Sequence, residues 1–99
     1  AIIGFSKSIA AYYASYNIRI NIIAPALVET PMAQRAANDA TMQTFIKSKQ
    51  PLDGGRIGRP EDADGLAVYF MSDQSLFTTG QVIAVDGGWS VSEGQYSSI

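Results

Sequence analysis

The run IRINIIAPALVETPM, Ile18 to Met32, limits the folds open to this chain more than any other stretch. Ile18, Ile20, Ile22 and Ile23 are β-branched, and their stiff χ1 angles favour a pleated, packed setting over a helix. The spacing predicts a strand over residues 18–24. Apolar residues fall on both alternating faces, so this strand is expected to be covered on both sides, as strands of parallel sheets are. Pro25 has no N–H to give to a ladder and should end the pairing. In an open parallel α/β sheet, ligands bind beyond the carboxyl ends of the strands, and Pro25-Ala26-Leu27-Val28-Glu29-Thr30-Pro31 leaves from that edge. That loop is either a ligand contact or an ordinary strand-to-helix connection.

The flanking segments read in order. Residues 1–16 place Ile2, Phe5, Ile9, Tyr12, Tyr13 and Tyr16 on one side of a helix, with Asn17 as its stop. Ala1, Gly4, Ala10, Ala11 and Ala14 leave a small-residue surface, for close packing on the chain's own sheet or for a subunit interface. Asn21, set among isoleucines, needs hydrogen-bond partners, which backbone groups on a neighbouring connection would supply in a structural role. From Ala33 to Lys49 helix formers are frequent, but Met42, Phe45 and Ile46 form the one clear apolar cluster, so the segment reads as one or two short helices with partial burial. Such an insertion at the ligand edge behaves like a lid, with its cluster facing a substrate, unless those residues simply dock it on the body.

Pro51 to Arg59 is a glycine-rich loop, but Gly54, Gly55 and Gly58 lack the spacing and the preceding strand of a dinucleotide fingerprint. Pro60 should open a helix over residues 60–72, with Glu61, Asp62 and Asp64 at the positive end of its dipole and Ala63, Leu66, Ala67, Phe70 and Met71 on its apolar face. The acidic cluster is better explained by the dipole than by a metal. Gln81 to Val85, bounded by Gly80 and Asp86-Gly87-Gly88, reads as a second buried strand, which makes a right-handed βαβ crossover. Past Trp89 the polar tail is either frayed or pinned by a partner subunit.

Composition removes several classes of function. Seven basic and nine acidic side chains give a net charge of −2, with the cations scattered singly, which argues against nucleic acid as a partner. The chain has no cysteine and no histidine, so it carries no disulfide framework, no thiolate or histidine metal site and no histidine acid–base catalysis. No apolar stretch approaches the ~20 residues of a membrane span, and the expectation is a soluble, cytoplasmic protein. The sequence starts without methionine, inside what reads as a running helix, and a preceding N-terminal portion is expected.

NIRINIIAPALVETPM, GRIGRPEDADGLAVYFMSDQSLFTTG and QVIAVDGG, in this order and at these spacings, resemble the C-terminal half of a short-chain dehydrogenase/reductase, from about Ala1 to Trp89. The resemblance implies an α/β fold. Residues 1–99 would be the C-terminal part of a Rossmann-type doubly wound parallel sheet, with its last two strands, the crossover helix and a substrate-lid insertion at about 32–50. It also implies hydride transfer between NAD or NADP and a small-molecule alcohol or ketone, in a homodimer or homotetramer. By the same resemblance Pro25, Ala26, Val28 and Thr30 are cofactor-binding, Val28 meeting the nicotinamide carboxamide through its backbone and Thr30 bonding the cofactor through its hydroxyl. Met42, Phe45 and Ile46 would belong to the substrate lid. Ala26 departs from the glycine usual in the family, and its Cβ narrows the backbone's approach to a ligand.

The family's glycine-rich phosphate turn, its serine and its Tyr-x-x-x-Lys pair would all precede Ala1. Four residues after Tyr12, Tyr13, Tyr16 and Tyr69 stand Tyr16, Asn17, Ile20 and Asp73, so none of these tyrosines has the lysine partner. The 99 residues alone are expected not to catalyse. The other reading is a non-catalytic interaction module of the same fold. The coding sequence upstream of Ala1 separates the two.

Overall fold

The computed structural model describes residues 1–31, 34–35 and 38–92. Helix α1, Ile2–Tyr13, runs into a 3-10 turn, Ala14–Tyr16. Asn17 stops it in the left-handed region at φ 63°, its N–H donating to Ala14 C=O (3.0 Å) while Ile18 N–H reaches back to Tyr13 C=O (3.3 Å). This is the asparagine stop expected from the sequence. The aromatic side of the helix is open: Ile2, Phe5, Tyr12, Tyr13 and Tyr16 are exposed, and Ala10 on the small-residue side is the buried residue. A Cβ on Gly80 would lie 3.7 Å from that of Ala10, so the small face of α1 meets the connection into the second strand.

Strands β1, Ile22–Pro25, and β2, Val82–Val85, pair in parallel, with Ile22 opposite Val82 and Pro25 opposite Val85. Parallel pairing is what two β-branched runs joined by a long helical crossover require. The ladder starts later than residue 18. Before Ile22 the facing chain is turning, with Gly80 at φ 71°, so Ile20 makes single bonds: its N–H to Thr79 Oγ1 (3.1 Å) and its C=O from Gly80 N–H (2.8 Å). Asn21 finds the expected backbone partners, donating to Thr78 C=O (3.1 Å) and accepting from Gln81 N–H (3.0 Å). The expectation of cover on both faces is corrected. β1 is half-buried with Pro25 exposed, and Ile83 and Ala84 of β2 are exposed, because the elements described here do not close both sides of the pair.

Helix α2, Ala40–Lys49, starts at Asp39, whose carboxylate accepts from the N–H groups of Thr41 (2.8 Å) and Met42 (3.3 Å). Pro60–Ala63 forms a 3-10 turn leading into helix α3, Asp64–Met71, so the helix expected over 60–72 is present with a tighter first turn. Ala63, Leu66, Ala67 and Phe70 are half-buried, but Met71 is exposed, on the open side that it shares with Val68. Residues 32, 33, 36 and 37 of the expected lid and residues 93–99 of the tail lie outside the described residues.

Tethers between polar groups hold these elements as much as apolar packing does. Among the described residues the fully buried apolar side chains are Ala10 and Ile46, whereas Gln50, Ser75 and Ser92 are buried polar ones. Ser75 donates to Phe70 C=O (3.0 Å) and receives the Arg19 guanidinium, which also bonds Ser72 C=O (3.3 Å), so the end of α3 is tied to the start of β1. The radius of gyration, 16.3 Å, exceeds the roughly 13 Å of a compact domain of this length. An extended shape of this kind follows from a core this thin.

Candidate functional site

Because β1 and β2 are parallel, the loops leaving Pro25 and Val85 open from the same edge. Between them lies a cavity of about 460 Å³ lined by Ala24, Pro25, Ala26 and Leu27 from the first strand and its loop, and by Ala84, Asp86, Trp89 and Ser90 from the second. Asp86 forms the turn after β2, accepting from Gly88 N–H (3.0 Å) and Ser90 N–H (2.9 Å). Burial pushes its carboxyl up, but the hydrogen bonds from Ser90 and Gly88 outweigh that and hold it below the usual carboxylate range. Near neutral pH it is a charged staple with no proton to give.

The loop from Ala26 to Thr30 is held from behind. Leu27 C=O accepts from Gly58 N–H (2.9 Å), and Gly58 C=O accepts from Glu29 N–H (2.7 Å), an isolated parallel bridge centred on Val28. Peptide planarity then orients Val28. Its N–H shares a plane with Leu27 C=O and points the opposite way, and its C=O stands in the same relation to Glu29 N–H. Both backbone groups of Val28 therefore turn away from Gly58. A Cβ at Gly58 would come within 3.3 Å of Leu27 C=O, close enough that the bridged loop would have to give by a few tenths of an ångström to accept one.

Behind this bridge Arg56 reaches three groups, bonding Asp53 (2.6 Å), both carboxylate oxygens of Asp62 (2.8 and 2.9 Å) and Ile57 C=O (3.1 Å). Asp62 also caps Arg59 N–H (2.7 Å). The Arg56 guanidinium, followed by that cap, lowers the Asp62 carboxyl to about 2, and the two carboxylates raise Arg56 in turn. Asp62 thus has a specific partner beyond the helix dipole.

The residues named from the sequence are partly brought together. Pro25 and Ala26 line the cavity, and Val28 lies on the adjoining side with Gly58, Pro60 and Val85. Thr30 is exposed beyond them, its C=O accepting from Gln34 N–H (2.8 Å). Phe45, 47% exposed, meets Trp89 edge to face at 5.9 Å, and Met42 is 37% exposed. Ile46 faces elsewhere: it is 2% exposed and lies with Lys47, Gly55 and Ile57, where it docks α2 on the glycine loop.

Sequence reasoning passed over Trp89, Ser90 and Gln50. Trp89, the sole tryptophan, follows the turn after β2 and carries Lys49 Nζ 5.4 Å from its ring centre. Its place just past a strand on the ligand edge was the available signal. Gln50 has no such signal, since its partners are remote in sequence.

Among the described residues that line the cavity between the two loops, Asp86 is the titratable group, and its hydrogen bonds hold it charged. The profile of the family described as enoyl-(acyl carrier protein) reductase matches residues 1–90. The chain belongs to the short-chain dehydrogenase/reductase family. It is 41% identical over 95 residues to a 2-keto-3-deoxy-L-fuconate dehydrogenase of Xanthomonas campestris, covering 91% of this chain and 31% of that protein. A 3-oxoacyl-[acyl-carrier-protein] reductase of Thermotoga maritima is 41% identical over 87 residues, covering 88% and 34%. Among solved structures, 4-hydroxyisoleucine dehydrogenase complexed with NADH superimposes with a TM-score of 0.84 at 33% identity, covering 93% of this chain and 37% of that one. The chain thus spans about a third of the length of the relatives it matches.

Proposed function

We propose that the full-length protein is an NAD(P)-dependent oxidoreductase that moves hydride between the nicotinamide and an alcohol or ketone, and that residues 1–99 are the C-terminal part of its Rossmann-type domain. The observation that carries this reading is the parallel pair whose two carboxyl-end loops share one cavity, with Val28 presenting a backbone donor and acceptor side by side. A neutral carboxamide requires such a pair. Pro25 and Ala26 would wall the nicotinamide end, Val28 would hold the carboxamide, and the Thr30 hydroxyl would bond the cofactor as donor or acceptor. When bound, the nicotinamide supplies or accepts the hydride.

On this reading α2 belongs to a substrate lid in which Met42 and Phe45 offer apolar surface and Ile46 anchors the helix. The contact of Phe45 with Trp89, itself a wall of the cavity, supports the assignment. The relatives' names, a keto-sugar-acid dehydrogenase and an oxoacyl reductase, and the NADH in the neighbouring structure support the reaction class. The test is titration of the full-length protein with NADH and with NADPH. Saturable binding of one of them, lost when Val28→Pro removes the loop's N–H, is expected; a full-length protein that binds neither overturns the proposal.

A further inference from the structure

Gln50 is an unusual residue to find 2% exposed, because a buried amide must satisfy both of its ends. Here it does. At the carboxyl end of α2, Gln50 donates its own N–H to Ile46 C=O (2.6 Å), while its side chain turns to the loop after β1. Oε1 accepts from Leu27 N–H (2.7 Å), and Nε2 donates to Leu27 C=O (3.3 Å) and to Arg56 C=O (3.3 Å). The third side is closed by the turn after β2: a Cβ on Gly87 would lie 3.2 Å from Gln50 Cβ, and Leu52 N–H bonds Gly87 C=O (3.1 Å). One side chain therefore joins the end of the lid helix, the loop after each strand and the glycine loop.

The clasp on Leu27 has a consequence one residue further on. Leu27 C=O and Val28 N–H lie in one rigid plane, so the donors that fix the first, Gln50 Nε2 and Gly58 N–H, also set the direction of the second. We propose that Gln50 is a positioning residue that presets the Val28 backbone for the nicotinamide carboxamide and couples that loop to the end of α2. The inference rests on the reading of Val28 given above. Without the clasp the loop would sample other orientations, and apparent cofactor affinity would fall with the fraction of molecules that remain competent, while the bound state would be little changed.

The experiment uses the full-length protein and its steady-state kinetics with the nicotinamide cofactor that it binds. Gln50→Glu keeps the shape and the acceptor but loses both donated bonds, and Gln50→Ala removes the clasp entirely. Each is expected to raise the cofactor KM roughly tenfold, as the loss of a buried hydrogen-bond set does, with kcat at saturating cofactor within about twofold. A merely structural role would lower stability without that split. An unchanged cofactor KM in a folded variant, beside a Val28→Pro variant that has lost cofactor binding, overturns the Gln50 proposal and leaves the loop assignment standing. A Val28→Pro variant that binds normally overturns the loop assignment and the Gln50 proposal with it. Should both Gln50 variants fail to fold, hydrogen exchange in the wild-type protein decides: on adding cofactor, the Leu27 and Gln50 amides should gain protection together, and a gain at Leu27 alone overturns the coupling.

Discussion

Asp62 and Thr30 carry the predictions that belong to single residues. The Asp62 carboxyl moves from 3.8 in an unconstrained chain to about 2 beside Arg56, so the fold binds fewer protons than the unfolded chain between those values. Its stabilising contribution is present in full above about pH 4 and is lost as the pH falls through 2. Acid unfolding of Asp62→Asn beside the wild type should therefore show a stability gap that closes across that window, and a gap independent of pH would contradict the pairing. Thr30→Ala removes one hydrogen bond proposed to reach the cofactor and, on the proposed function, should raise the cofactor KM of the full-length protein by roughly three- to tenfold. What the sequence disclosed at this scale was local. Asn17 and Asn21 were legible because a helix stop and a polar residue among isoleucines are signals in themselves. Gln50 and Leu27 lie 23 positions apart, and no local pattern marks a glutamine whose partner is a remote peptide group.

Elements were read correctly where periodicity was strong and misjudged where a partner decided the outcome. β1 and β2 follow from their β-branched runs, but the start of the ladder was set by the turn at Gly80 on the opposite chain, which a reading of residues 18–24 alone does not contain. The apolar cluster of α2 was legible as a cluster; that it divides, with Ile46 inward and Phe45 against Trp89, depends on the glycine loop beneath it. On the proposed lid reading, Phe45→Ala should raise the substrate KM more than it lowers kcat in the full-length protein, and an unchanged KM would remove Phe45 from that proposed role. Gly58→Ala forces a methyl group to 3.3 Å from Leu27 C=O and should destabilise the bridge by about 1 kcal/mol, seen as a lower melting temperature. A neutral effect would mean that the loop yields more easily than its hydrogen bonds indicate.

At the scale of the whole molecule, apolar surface is plentiful and core is scarce. Phe77 is fully exposed, Met71 and Val91 are more than three-quarters exposed, and the aromatic side of α1 faces outward. Surface of this extent normally meets other protein. Residues 1–99 expressed alone are expected to self-associate in light scattering and to show no saturable NADH binding. The sequence disclosed the fold class because three motifs kept their order and spacing. A thin core with exposed apolar surface follows from the resemblance, which leaves the covering strands outside these residues; hydropathy alone does not show it, since it records which residues prefer burial and not whether a partner element is there to bury them. The proposed delivery of the Val28 backbone to the nicotinamide by the parallel strands is tested by a structure of the full-length protein with its bound cofactor. The carboxamide is expected within about 3 Å of Val28 N–H and C=O; a nicotinamide lying away from the loop after β1, with those two groups turned to solvent, would overturn that assignment.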